Sequence, residues 1–283
     1  MPDIAWVNGQ ISEIGRAKVP LLDRGYLFGD GVYEVLRVYR GRPFALDEHM
    51  ERLADSLAGV RINYPLVSER LRTLIDELVA QAGYAEASVY LQITRGASVR
   101  QHAFPAGCEP SLVLTVTKTQ QPERGQQEGG VGVITVPDDR WAHCHIKSVN
   151  LLPNVLAKQK AREAGAFEAV FVRAGNRISE GSSSNIFAVK DGVMVTPPLD
   201  GHILPGVTRR MVLSIARQEG FPVREEDLPL EFLRQAEEVF LTGTTIEVLP
   251  VTKIGGTPLG SGIPGPVTRA IFQAFTRKTE SQS

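Results

Sequence analysis

The 283-residue chain predicts an α+β fold in two domains. Three observations carry this expectation. Alternating apolar runs and helical apolar stripes occur in both halves, turn pairs such as Asn8-Gly9 and Asp191-Gly192 join consecutive strands as hairpins, and the polar segment KTQQPERGQQEGG (118–130) interrupts all periodicity. The interruption predicts a smaller N-terminal domain over 1–119, a linker over 120–130 and a larger C-terminal domain over 131–283.

Taken in order, IAWVNGQISEI places apolar residues on both sides of Asn8-Gly9, a pair that supplies the positive φ angles of a tight hairpin. GVYEVLRVYRGRPFAL reads as a second hairpin with its turn at Gly41 to Pro43. At Asp47 the period changes: Asp47 can cap a helix whose stripe is Met50, Leu53 and Leu57. Leu71, Leu74, Ile75, Leu78 and Val79 form the stripe of a helix over 68–82, capped by Ser68. The strands SVYLQIT and SLVLTVT follow, separated by a basic loop that carries Arg95, Arg100 and His102. Beyond the linker come the strand VGVITV, a helix over 151–164, the strand EAVFVR, the hairpin NIFAVKDGVMVT, a helix over 207–219, the strands EVFLTG and IEVLPV, and a helix over 265–277. The tail TRKTESQS is expected to fray.

Composition excludes several function classes. A formal net charge of −1 without blocks of like charge argues against a nucleic-acid or anionic-membrane partner. Neither a basic-then-apolar N-terminus nor a run of roughly 20 apolar residues is present, which makes the cytoplasm the expected location. Cys108 and Cys144 lie far apart without metal-ligand spacing, so free thiols are expected and no metal site is.

The chemistry-bearing residues are individually ambiguous. No Walker loop and no G-x-G-x-x-G opening a helix is present. EGSSSN (180–185) is not the G-x-S-x-G of a serine hydrolase; it offers one carboxylate and a run of hydroxyls to a phosphate or ring oxygen, or is a solvated turn. Lys158 and Lys160 belong to an amphipathic helix and face solvent on this reading. Lys147, in HCHIKSVNLL, follows an apolar stretch and precedes a helix; a lysine turned inward loses its proton more readily and becomes a nucleophile. In ILPGVTRR (203–210), Gly206 precedes Val207 and Thr208 at a helix start, which is either a phosphate seat or an ordinary cap. Arg52, in DEHMERL, lies off the apolar stripe and is either a surface charge or a phosphate fork, and Arg140 is either an anion contact or a surface charge.

Taken together, DRGYLFGDGVYEVLRVY, DEHMERL, HIKSVNLL, SEGSSSNIFAVKDG, ILPGVTRR and TGTTIEVLP resemble the fold-type IV pyridoxal-phosphate aminotransferases, also called aminotransferase class IV. The motifs run in family order over nearly the whole chain, from residue 4 to residue 277. This resemblance implies a two-domain enzyme with pyridoxal 5'-phosphate at the domain interface. It makes Lys147 the Schiff-base lysine, which also shuttles the substrate's proton, and Glu180 the carboxylate partner of the pyridine nitrogen. Arg52, the N–H groups of Val207 and Thr208, and Thr244 would hold the phosphate. Leu204 would pack on the ring, with Ser183 and Ser184 as accessory contacts.

Within that family, the D-amino acid branch binds the substrate α-carboxylate with an Arg-x-His pair and a tyrosine, matched here by Arg100-Gln101-His102 and Tyr33. The same branch implies a homodimer in which Arg100 and His102 complete the neighbouring subunit's site. The implied reaction is transamination of a D-amino acid, D-alanine foremost, with 2-oxoglutarate to give pyruvate and D-glutamate. The other branches fit less well: branched-chain enzymes usually carry Glu-Asn where this chain has Ser184-Asn185. Aminodeoxychorismate lyases typically have Gly-Arg-Gly-Tyr where it has Gly-Ala-Ser-Val-Arg, and an (R)-amine transaminase lacks a committed carboxylate trap. The presence of both Lys147 and Glu180 argues against a non-enzymatic relative.

Overall fold

A computed structural model describes residues 3–65, 69–119 and 124–281. They form two compact units, one built mainly from Met1–Gln120 with Ile146–Asn150, the other from Gln121–His145 with Leu151–Ser281. The expected division into 1–119, 120–130 and 131–283 is contiguous, whereas these units are not, because Ile146–Asn150 returns to the first.

In the first unit the elements are β1 (Ile4–Val7), β2 (Gln10–Glu13), α1 (Arg24–Phe28), β3 (Gly31–Tyr39), β4 (Arg42–Pro43), α2 (Leu46–Gly59), α3 (Glu69–Ala82), β5 (Ala87–Thr94) and β6 (Ser111–Lys118). The six strands pair antiparallel throughout, in the order β2-β1-β6-β5-β3-β4. Alternate residues of the three central strands, Val32, Leu36 and Val38, Val89, Leu91 and Ile93, Leu112, Leu114 and Val116, bury one face. Against it pack Met50, Leu53 and Leu57 of α2 and Leu71, Ile75, Leu78 and Val79 of α3, the two stripes expected from the sequence. Each such side chain contributes about 1.5–3 kcal/mol by leaving water.

Local details differ from the sequence reading. The second hairpin turns at Arg40-Gly41, so Pro43 belongs to the return strand, where its missing N–H is tolerated at a sheet edge. Asp47 does not cap α2: the cap is Ala45, in the left-handed region, and Asp47 sits in the first turn paired with Arg72. An acid there still meets the positive end of the helix dipole. Ser68, the expected cap of α3, lies outside the described residues. Helix α1, capped by Asp23 through Gly25 N at 2.8 Å, is too short to show a stripe and was not expected.

The second unit contains α4 (Arg124–Gly129), which lies inside the expected linker, then β7 (Val131–Pro137), α5 (Leu152–Glu163), β8 (Glu168–Arg173), β9 (Arg177–Gly181), β10 (Asn185–Lys190) and β11 (Val193–Thr196). There follow α6 (Val207–Gln218), β12 (Val223–Glu225), β13 (Leu228–Pro229), α7 (Leu230–Arg234), β14 (Glu238–Gly243), β15 (Glu247–Ile254), β16 (Thr257–Pro258) and α8 (Pro266–Ser281). Its sheet runs β12-β11-β10-β14-β15-β7-β8-β9-β13, with β16 on β15. Parallel pairing is confined to β7 with β15 and β8 and to β12 with β11. Val133, Val170, Ile186, Val239, Leu241 and Leu249 centre its core. The combination of a wholly antiparallel sheet and a mixed one is the α+β class that the hairpins predicted.

Candidate active site

Lys147 is placed by the first unit although it follows the second unit's first strand. Its carbonyl accepts from Tyr33 N at 3.0 Å, its own N–H donates to Ser56 Oγ at 3.1 Å, and Ser148 bridges to Val32. Ile146, one residue before, is buried in the first core. The lysine backbone is therefore clamped between β3 and α2, while its Nζ lies 4.2 Å from the centre of the Tyr33 ring. An amine over an aromatic face is held by attraction to the ring quadrupole.

Beneath that segment, β3 and α2 build a buried charge cluster. Arg52 is 7% exposed and donates Nε and Nη2 to the two oxygens of Glu34, at 2.8 and 2.7 Å, which answers the surface-charge alternative. His49 Nδ1–H donates to Glu34 Oε2 at 2.7 Å. Burial alone would push the Glu34 carboxyl up, but the Arg52 charge and the bonds from Arg52 and His49 hold it down at about 2. For His49 burial prevails and keeps the imidazole below its ordinary value, hence neutral at pH 7. Arg52 is thus a fixed cation whose direction is set by a carboxylate behind it.

The loop between β5 and β6 separates the three basic residues that the sequence put side by side. Arg95 is buried and spends its guanidinium on Asp30, at 2.8 and 2.9 Å, and on the carbonyls of Val60 and Arg61, with the Phe104 ring 3.6 Å from its centre. Arg100 and His102 remain exposed. Both lie against Phe28, Arg100 at 5.0 Å and His102 at 5.4 Å between centres. Tyr33 stacks on Tyr90 at 5.7 Å.

In the second unit Glu180 is the focus, at the end of β9. Its Oε1 accepts from Arg140 Nη1 at 2.6 Å, and its Oε2 from Asn185 Nδ2 and Leu204 N, each at 3.0 Å. Burial outweighs these bonds and pushes the carboxyl up to about 7. Arg140 is not a surface charge: it also binds both oxygens of Asp138, at 2.9 and 3.0 Å, and Ser179 completes the group by donating to Asp138 at 2.6 Å. Leu204 is tied to the same network, because its carbonyl accepts from Asn185 Nδ2.

The serine run is organised by a carboxylate that the sequence reading passed over. Glu168, fully buried at the start of β8, accepts from the hydroxyls of Ser182, Ser183 at 2.7 Å and Ser184 at 3.3 Å. The hydroxyl protons of Ser183 and Ser184 are thereby turned inward, leaving their oxygens' lone pairs and the backbone as the groups able to meet a ligand. At α6, Gly206 caps without a side-chain bond, so the N–H groups of Val207 and Thr208 have no intrahelical partner. A Cβ on Gly206 would overlap Asn185 Oδ1, so no other residue fits there unchanged. Thr244 opens the turn between β14 and β15, and two residues before it the buried Thr242 Oγ1 lacks a hydrogen-bond partner among the described residues.

Glu34 carried a signal in the sequence, since it falls in phase with Val32, Leu36 and Val38 and so puts a charge on the core face of its strand. Glu168 and Arg24 carried none, because the serine hydroxyls around Glu168 and the loop carbonyls around Arg24 lie far from them along the chain.

Each unit carries donors of kinds that suit pyridoxal 5'-phosphate: the first a positioned amine and a pre-oriented guanidinium, the second helix N–H groups without intrahelical partners, an unsatisfied hydroxyl and a buried carboxylate held on three sides. The fold is that of an aminotransferase dependent on pyridoxal phosphate. The amino-transferase class IV family matches residues 31–254, and the chain belongs to that family. It is similar to the D-alanine aminotransferase of Bacillus licheniformis, 43% identical over 98% of this chain and 97% of that one. That of Staphylococcus haemolyticus is 39% identical over 98% of each. Among solved structures, a branched-chain amino acid aminotransferase of Escherichia coli superimposes with a TM-score of 0.91 at 30% identity, covering 98% of this chain and 94% of that one. The branched-chain aminotransferase of Thermoproteus uzoniensis with norvaline gives 0.87, at 30% identity over 99% of this chain and 95% of that one.

Proposed function

We propose that the protein transfers the amino group of a D-amino acid, D-alanine foremost, to 2-oxoglutarate, giving pyruvate and D-glutamate. The observation that carries the D-amino acid assignment is the Arg100–His102 loop, in which a guanidinium and an imidazole stand against one ring with their donors open to solvent. The 43% identity to a D-alanine aminotransferase supports the same choice.

Bound pyridoxal phosphate supplies the electron sink for the α-carbon and carries the amino group from one substrate to the other. Lys147 Nζ holds the cofactor and takes the proton from the substrate α-carbon. Arg52, fixed by Glu34, holds the phosphate together with Val207 N, Thr208 N and Thr244. Glu180 would meet the pyridine nitrogen, whose positive charge would favour its ionised form; Leu204 would pack on the ring, with Ser183 and Ser184 as accessory contacts. Arg100, His102 and the Tyr33 hydroxyl hold the α-carboxylate, and two fixed points on the substrate leave a single α-hydrogen aimed at Lys147.

A homodimer in which Arg100 and His102 serve the neighbouring subunit belongs to this reading. The exposure of Leu21 (74%), Tyr26 (73%) and Val99 (76%) in the first unit supports it, because large apolar groups so exposed favour cover by a protein surface. Free thiols at Cys108 and Cys144 suit the cytoplasm, where the substrates of such an enzyme circulate.

The test is to mix the reconstituted enzyme separately with D-alanine, L-leucine and (R)-1-phenylethylamine and follow the cofactor absorbance from its aldehyde to its amine form. Fast conversion by D-alanine alone is expected. Preference for L-leucine would replace this reading by a branched-chain one, and preference for the amine would show that the loop does not trap a carboxylate.

A further inference from the structure

Three consecutive backbone carbonyls, those of Gln101, His102 and Ala103, converge on a single guanidinium. Arg24, 3% exposed in the five-residue helix α1, donates Nη1 to Gln101 O at 2.6 Å and to Ala103 O at 3.5 Å, and Nη2 to His102 O at 3.3 Å. Its Nε is committed to Asp30 Oδ2 at 2.7 Å. Asp30 in turn holds Arg95, and those two guanidiniums overcome burial to keep its carboxyl below the ordinary value. With its donors shared between Asp30 and the carbonyls, and its side chain out of solvent, Arg24 is not placed to meet a substrate.

The same short helix and the two residues that lead into it touch the loop three more times. Arg24 N donates to Gly96 O at 2.8 Å, Ser98 N donates to Leu22 O at 3.1 Å, and Asp23 bridges to Ala97. One turn beyond Arg24 lies Phe28, whose ring is 4.8 Å from the Arg24 guanidinium and also meets Arg100 and His102. Backbone and side chains of the Arg100–His102 loop are therefore both referred to α1. Gly96 is part of this arrangement: with φ at +101° and a Cβ position that overlaps Glu109 O, it lets the chain turn tightly into the loop.

We infer that Arg24, assisted by Phe28, is the positioning residue of the Arg100–His102 loop and sets the affinity of the enzyme for the substrate carboxylate. This rests on the reading of Arg100 and His102 as the carboxylate ligands. It assigns a role to the DRGYLF segment that does not require contact with substrate, and it holds whichever subunit's site the loop completes. A lysine at position 24 would keep the charge beside Asp30, but its single ammonium cannot fork to three carbonyls.

The holoenzyme variants R24K, F28L, R100A and R24K/R100A separate the possibilities. R24K is expected to raise KM for D-alanine by about tenfold, the scale set by losing one charge-assisted bond, and to change kcat less. Reaction with a primary amine that has no carboxylate should be spared. In R24K/R100A the second change should add little, because both act through one loop. F28L leaves the buried ion pairs intact and should raise the same KM by a smaller factor, so it decides the matter if R24K fails to fold. An R24K that leaves KM unchanged while R100A raises it overturns the inference alone, as does a loss shared equally by D-alanine and the amine, or full additivity in the double variant. An R100A that leaves KM for D-alanine unchanged overturns the carboxylate-trap reading itself.

Discussion

Replacing Arg140 by Met tests whether the Glu180 carboxylate depends on its guanidinium partner. In the parent protein burial already raises Glu180 from an ordinary 4.5 to about 7. A folded value above the unfolded one contributes stability that is fully present below pH 4.5 and is lost as pH rises through about 7; the difference between the two values corresponds to about 3 kcal/mol. The substitution would leave Glu180 only the bonds from Asn185 and Leu204, and would leave Asp138 with Ser179 and backbone. Removing one partner of a buried ion pair costs about 3–5 kcal/mol while the remaining group stays charged. Glu180 escapes that cost by protonating, so its folded value moves further up and the loss grows with pH. Thermal melting of the cofactor-free protein should show R140M below the parent already near about pH 5, where Asp138 loses the partner that holds its carboxyl down, and lower by roughly a further 10 °C near about pH 8, where Glu180 adds its own cost. Adding E180Q to R140M should recover part of the loss at the higher pH. An equal loss at both pH values, or no recovery in the double variant, would refute the reasoning.

Glu34 titrates in the opposite sense: held at about 2 against an ordinary 4.5, it contributes stability present above pH 4.5 and lost as pH falls through about 2, and E34Q should abolish that acid limb in pH-dependent melting. The same variant leaves the Arg52 guanidinium buried without its carboxylate, so a neutral-pH loss of about 3–5 kcal/mol and weaker cofactor retention in a titration are expected. G96A should destabilise the protein by more than about 2 kcal/mol in denaturant unfolding, since its Cβ would enter Glu109 O and its φ is positive. K147A should keep the parent's far-ultraviolet circular dichroism and lose the cofactor absorbance change on adding D-alanine; an unaltered spectral response would show that another amine carries the reaction.

Much of the first unit follows from local pattern. The stripes of α2 and α3, the alternation of β3, β5 and β6, and the Asn8-Gly9 turn are properties of neighbouring residues, and an apolar face has nowhere to go but a core. The family motifs were legible for the same reason, since Lys147, EGSSSN and ILPGVTRR are short contiguous strings. Side-chain commitments were not. Whether Arg52, Arg95 or Arg140 faced solvent or an ion pair depended on Glu34, Asp30 and Glu180, which lie 18, 65 and 40 residues away along the chain. The sequence likewise put Arg95, Arg100 and His102 in one basic loop, and only the fold divided them into a buried strut and two exposed donors. The sequence by itself determined the longer strands and helices and the family they build, because those depend on short-range periodicity, whereas the short helices α1 and α4 carry too few residues to show one. Which charges meet, and so which are structural and which are left to bind, was decided by tertiary structure, because a buried charge is tolerated only where folding brings it a partner.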